Sequence, residues 1–281
     1  MCDSCADLPR SLTVERGIGV IPLSVTFGQE MLRDGVDITA DEFYTRLQQG
    51  GGSPSTSQIN PGQYLEAFNG VPQDEEVVYV GLSSGLSGSL GSALIATADE
   101  PLHSRVHLVD SLGASMGQGL MVLHAADLAD RGASAEEIVA STTALRERVC
   151  HVFTLDTLDY ALKGGRFSAL TAMAAKLLGI KPVLDVDMSG HLIPIDKVRG
   201  RKRSIARLFE EVDRLGTNLK GSRVGISHAA VPEEAAEVAE RFKTQYGVGE
   251  VVVSTIGPVI GSHTGPGCIA IFFEGPAGRG Q

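Results

Sequence analysis

The sequence predicts an α/β protein of two domains: a parallel α/β sandwich over residues 1–150 and a second α/β domain with a β-hairpin over 151–281. Three observations lead there. Through the first half, apolar runs of strand length alternate with helix-length segments, the pattern of a parallel sheet covered on both faces. Past residue 150, two strand-like runs lie close enough to pair as a hairpin, which sets that half apart. The length of 281 residues also exceeds the roughly 150 of an ordinary domain.

Residues 20–27 read as a strand, with Pro22 marking an edge or a bend. A helix over 40–49 follows Asp37-Ile38-Thr39 and is ended by Gly50-Gly51-Gly52. Asn60-Pro61 starts another over 62–68, with proline at the first helical position. Strands at 77–82 and 106–110 bracket a small-residue stretch, 91–98, read as a helix packed closely on the sheet. Residues 116–131 form a long apolar helix stopped by Gly132. Ser134-Ala135-Glu136-Glu137 opens the next, with acids in its first turn where the helix dipole favours them.

The second half begins with a strand at 151–155, a short helix at 156–162 and, beyond Gly164-Gly165, a helix at 168–178. Runs 181–186 and 192–198 flank Met188-Ser189-Gly190 as the hairpin. A helix (204–215), a strand (222–227), a helix (233–246) and strands at 250–254 and 268–273 complete the pattern.

Composition excludes several functions. The 43% hydrophobic and 21% charged fractions are ordinary globular values and rule out wholesale disorder. The net charge of −10 is wrong for a general nucleic-acid binder, which needs clustered Lys and Arg. Four cysteines, Cys2, Cys5, Cys150 and Cys268, are too few and too scattered for a disulfide scaffold. No signal peptide and no apolar run near the roughly 18 residues of a membrane span are evident. The expectation is a soluble, cytoplasmic protein with reduced thiols.

Glycine supplies 34 of the 281 residues, and much of the surplus gathers in polar clusters at expected strand ends. The glycine lies in the segment 83–89 (Ser-Ser-Gly-Leu-Ser-Gly-Ser), in Lys163-Gly164-Gly165-Arg166-Phe167 and in 257–267; a fourth polar cluster, Ser55-Thr56-Ser57-Gln58, holds none. Ligands of open α/β sheets bind beyond the carboxyl ends of strands. A hydroxyl-rich loop entering a helix offers N–H and O–H groups to an anion, although the same residues also make an ordinary helix cap. Ser83 to Ser89 fits both readings. His263 stands apart from the other six histidines, because its small neighbours would leave the imidazole accessible in a loop.

Other chemistry is thinly represented. There is no phosphate-binding P-loop, no dinucleotide fingerprint and no nucleophile elbow. Cys2-Asp3-Ser4-Cys5 is a lone pair with no second pair for zinc, and no metal site is expected. Residues 197–203 carry five positive charges, including Arg199, Arg201, Lys202 and Arg203. They read either as a solvated loop entering a helix or as a docking patch for an acidic partner or a phosphate.

Together these residues resemble the DegV family of bacterial fatty-acid-binding proteins. The resemblance spans the chain. It rests on Asp3-Ser4, Ala6-Asp7-Leu8-Pro9, Thr56-Ser57-Gln58, Ser83-Ser84-Gly85-Leu86-Ser87-Gly88, Asp110-Ser111, Leu162-Lys163-Gly164-Gly165-Arg166, Lys181-Pro182, and the glycine-rich run 257–267 with His263. It implies a two-domain DegV-like fold with one long-chain fatty acid between the domains, its chain in an apolar tunnel. It implies a carboxylate held at Thr56, Ser57, Ser83 and Ser84, with His263 and Arg166 close by, and no cofactor. It also implies a partner, an ATP-dependent fatty acid kinase, docking at Arg199, Arg201, Lys202 and Arg203, with at most transient contact with a membrane surface.

The chain departs from that pattern in places. It begins at Met1-Cys2-Asp3, where the family has several apolar residues first, so the expectation is a misassigned start or a sheet short of most of one strand. Cys5 stands where the family commonly has Thr, and Ile59-Asn60 where it often has Pro-Ser. The rival reading is an enzyme, a small-molecule phosphotransferase or hydrolase using His263 or a loop serine. A third is a pure docking subunit using the basic run.

Overall fold

A computed structural model of the protein describes residues 1–167 and 179–278; the helix expected over 168–178 lies outside the described residues. The chain starts with strand β1 (Cys2–Asp3), helix α1 (Arg10–Glu15), β2 (Val20–Ile21), β3 (Ser24–Phe27), β4 (Glu30–Arg33), α2 (Ala40–Gln48) and β5 (Ser55–Ser57). Then come α3 (Pro61–Asn69), β6 (Val77–Gly81), α4 (Ser89–Ala96), α5 (Leu102–Arg105), β7 (Val106–Asp110), α6 (Met116–Ala129) and α7 (Ala135–Arg146). The remainder is β8 (Val149–Thr154), α8 (Asp159–Gly164), β9 (Ile180–Val186), β10 (Leu192–Arg199), α9 (Arg201–Leu215), β11 (Arg223–His228), α10 (Pro232–Arg241), β12 (Glu250–Thr255), α11 (Pro258–Thr264) and β13 (Ile269–Glu274).

The helix starts read from sequence are built as expected. Thr39 with Glu42, Asn60 with Gln63, and Ser134 with Glu137 each form a reciprocal capping box, satisfying otherwise orphaned N–H groups. Pro22 does more than bend the predicted strand at 20–27: it splits it. β2 joins the parallel sheet β2-β1-β6-β7, whereas β3 is the centre of a separate antiparallel sheet, β4-β3-β5. Proline has no N–H for a ladder, and the Leu23 N–H that follows donates to Ser4 Oγ at 3.1 Å.

The second half is a mixed six-stranded sheet, β10-β9-β8-β13-β11-β12. The predicted hairpin is β9–β10, with a register shift between Pro194 and Asp196. The helix read over 233–246 is α-helical to Arg241, then widens into a π turn over Phe242–Tyr246.

α6 is buried along its first eight residues, as an all-round apolar helix must be. It lies between the two large sheets, against β6 on one side and β11 and β13 on the other. One apolar core accordingly runs from Cys2 and Val80 through Met116 and Leu120 to Phe153, Ala270 and Phe272. Tyr64, Phe68, Tyr79 and Leu90 pack on the other face of the parallel sheet. α9 and α10 cover the far face of the six-stranded sheet, where Phe209 and Phe242 meet at 5.3 Å between ring centroids. No described helix is long and apolar enough to cross a membrane.

Candidate functional site

Thr56 sits in the middle of β5, paired with Val25 of β3, which aims its hydroxyl toward α11. The segment 257–267, read from sequence as a loop, is largely this helix. Pro258 opens it at a position where the missing N–H costs nothing, and Gly265, at φ +70°, closes it. His263 is therefore held on a helix and mostly buried, not left accessible in a loop. Its Nε2 lies 2.9 Å from Thr56 Oγ1.

The other ring nitrogen, Nδ1, faces the backbone of α8. A Cβ built on Gly164 would stand 2.2 Å from it, so only glycine leaves room for the imidazole. Burial, helped by the nearby positive charge of Arg166, pushes the His263 pKa down to about 4. The ring is thus neutral at pH 7. Arg166 itself is exposed, donating from Nη1 to Gly164 O at 3.0 Å and from Nε to Leu86 O at 3.4 Å.

These groups stand together at one cavity that is partly open to solvent. Its walls are mostly apolar, with Phe153 and Phe272 from the six-stranded sheet, Val186 and Leu192 from the hairpin, and Val259 and Ile260 from α11. Such a lining with a few convergent polar groups suits an elongated apolar ligand with one polar end.

Of the residues singled out from sequence, Thr56, Ser57, Arg166 and His263 line this cavity together; Ser83 and Ser84 are not among its lining residues. Ser83 is fully buried and donates to Gly190 O at 2.9 Å, tying its loop to the tip of the hairpin. Ser84 is exposed, its N–H donating to Asp110 Oδ1 at 3.2 Å. Ser87 of the same loop does line the cavity, as do Gln58, Ser115, His151 and Thr264. Nothing local marks Ser115 or His151: the first precedes an apolar helix, and the second lies in a strand, edge-on to Phe272 with centroids 5.4 Å apart. No described group of three or more His, Cys, Asp or Glu could hold a metal ion.

The basic run is partly neutralised. Arg201 opens α9 and donates to Glu234 at 2.7 Å, with only 22% of its side chain exposed, and Arg203 pairs with Glu210. Arg199 and Lys202 are exposed at the surface.

Fold and cavity define a mixed α/β protein with a mostly apolar cavity lined by Thr56 and His263. The chain belongs to the DegV family: the family model, described as "Uncharacterised protein, DegV family", matches residues 1–275. A DegV domain-containing protein of Clostridium perfringens is 38% identical over 280 residues, covering 97% of this chain and 96% of that one. Among solved structures, a DegV family protein from Thermus thermophilus described by its fatty acid binding superposes with a TM-score of 0.90 at 30% identity, covering 98% of each chain. DegV of Bacillus subtilis, described as a fatty acid binding protein, gives 0.87 at 30% identity, again over 98% of each chain.

Proposed function

We propose that the protein binds one long-chain fatty acid in this cavity, between domains 1–150 and 151–281, and presents the carboxylate to a partner fatty acid kinase. The observation that carries the reading is the pairing of an apolar cavity with the Thr56–His263 contact at its polar end. The fatty acid binding named for the Thermus and Bacillus relatives supports it.

The energetics follow from the lining. A C16-type chain buries some fifteen methylenes at about 0.8 kcal/mol each, so affinity comes from the tunnel, partly offset by the cost of ordering the chain. The head group is oriented rather than neutralised. His263 Nε2 and Thr56 Oγ1 share one hydrogen bond, which fixes the threonine hydroxyl where a carboxylate oxygen can meet it. Ser57 and Arg166 line the same cavity, and Ser83 acts by fastening its loop to Gly190 of the hairpin. Without a bidentate arginine clamp, one carboxylate oxygen stays presentable for phosphorylation. The kinase role rests on the family resemblance, with exposed Arg199 and Lys202, next to Arg201 and Arg203, as the docking surface.

The test is mass spectrometry of lipid that copurifies with the protein, followed by binding of added oleate and palmitate. Bound C16–C18 acids are expected. Protein recovered empty, and refusing both acids, overturns the reading.

A further inference from the structure

One buried side chain outside the cavity lining ties two of the cavity's walls together. Asp7 is 7% exposed and has φ +49°. Its Oδ1 accepts the Gly257 N–H at 2.8 Å, and its Oδ2 accepts the Ser115 hydroxyl at 2.5 Å. Gly257 is the N-cap of α11 and Ser115 the N-cap of α6. Ser115 lines the cavity, and α11 contributes Val259, Ile260, His263 and Thr264 to it.

The surroundings keep this contact from slipping. Ser115 has φ +53° and ψ −146°, a conformation that L side chains adopt only when their surroundings impose it. Its N–H donates to Cys5 O at 2.7 Å, on the turn that precedes Asp7. Its Oγ also lies 2.9 Å from Ser227 Oγ, which lies 3.2 Å from Ser254 Oγ. The three hydroxyls and the carboxyl thus form one continuous hydrogen-bonded row, Ser254, Ser227, Ser115 and Asp7. The row spans β12, β11 and α6 and ends on the carboxyl. Asp34 adds a weaker strut to the same helix start, accepting the Val259 N–H at 3.4 Å. A Cβ at Gly257 would stand 2.9 Å from Asp7 Oδ1, so the carboxyl is packed directly on the α11 backbone.

We infer that Asp7 is a positioning residue for the lipid site: it fastens α11 to α6 so that His263 stays seated on Thr56, without touching the ligand. The effect on lipid affinity rests on the reading of the cavity given above; the effect on the position of His263 does not.

The experiment compares Asp7→Gly, Asp7→Asn and Val224→Ala in the full chain. Glycine removes the carboxyl yet tolerates the positive φ, and asparagine tolerates it while keeping an acceptor for Gly257. Val224 is buried on the opposite face of the six-stranded sheet and reports destabilisation alone. Two quantities are read: the NMR titration of the His263 ring, assigned by its loss in His263→Gln, and the dissociation rate of bound oleate.

In the native protein the ring stays uncharged until the pH approaches about 4. Asp7→Gly is expected to move that midpoint toward the ordinary 6.5. Oleate release should quicken on the order of tenfold, the loss of one buried hydrogen bond. Asp7→Asn should keep both close to native, and Val224→Ala should lower the melting temperature while moving neither. A midpoint in Asp7→Gly unchanged from that in Val224→Ala overturns the inference. Should Asp7→Gly not fold, Ser115→Ala removes one strut, and an unmoved midpoint there overturns it equally. If native protein binds no oleate, the lipid reading fails while the His263 midpoint still decides the role of Asp7.

Discussion

His263 and Thr56 stand 207 positions apart in the chain, yet His263 Nε2 and Thr56 Oγ1 lie 2.9 Å apart at the polar end of an apolar cavity. The contact joins an antiparallel strand of the first half to a helix of the second. It brings residues from both halves of the chain together in the wall of one cavity.

Replacing Thr56 by valine keeps the shape and removes the hydroxyl, so His263 loses its partner and the ligand loses a donor. Fatty-acid affinity should fall by about 1–2 kcal/mol, roughly tenfold, with little change in melting temperature. Within the neighbouring loop, Ser87→Ala should weaken binding and Ser84→Ala should not, since only Ser87 lines the cavity. Fluorescent fatty-acid displacement reads all three variants.

Gly164→Ala should strengthen α8 and damage the site at once. Alanine is favoured over glycine in a helix by about 0.8–1 kcal/mol, but its Cβ occupies the place of His263 Nδ1. Loss of fatty-acid binding with an undiminished melting temperature is the expected pair of results. Native affinity in this variant would contradict the described packing of the ring on α8.

Asp34 makes stability depend on pH in a particular direction. Burial raises its carboxyl from 3.8 to about 7, so between those values the folded protein holds a proton that the unfolded chain has released. Its contribution is therefore complete below 3.8 and lost as the pH climbs through about 7, at a rate on the order of 1 kcal/mol per pH unit. Asp34→Asn removes this slope and can still accept the Val259 N–H. Thermal melts should show the variant gaining on the native protein as the pH rises from 4 to 7, then running parallel above that. A constant difference across that range would refute the assignment.

Ser83→Ala leaves the buried Gly190 carbonyl without its donor, at a cost of about 1–3 kcal/mol in denaturant unfolding. Because Val186 and Leu192 of the same hairpin line the cavity, release of bound fatty acid should quicken as well. Unchanged stability and release would mean that the hairpin tip is held by other contacts.

The elements that carry their own signals were legible in the residues. Thr39-x-x-Glu42 and Ser134-x-x-Glu137 announce helix starts, Met188-Ser189-Gly190 announces the hairpin, and the apolar run at 106–110 is β7. Each depends on residues within about one turn or one strand pair of each other, so local chemistry determines them. The motif residues Thr56, Gly164, Arg166 and His263 were equally visible. What the residues alone left open is how they are used. Ser83 and Ser87 lie in one loop with the same hydroxyl, yet sheet order and hairpin docking send the first to staple Gly190 and the second to the cavity. Pro22 marks a break, but which sheet takes each half depends on pairing with strands many residues away. The Ser115–Asp7–Gly257 contact joins three distant segments, and its partners become neighbours only once α6 is packed between the two sheets. Burial then raises the pKa of the Asp7 carboxyl, because desolvation is a property of the packed surroundings and not of the residue.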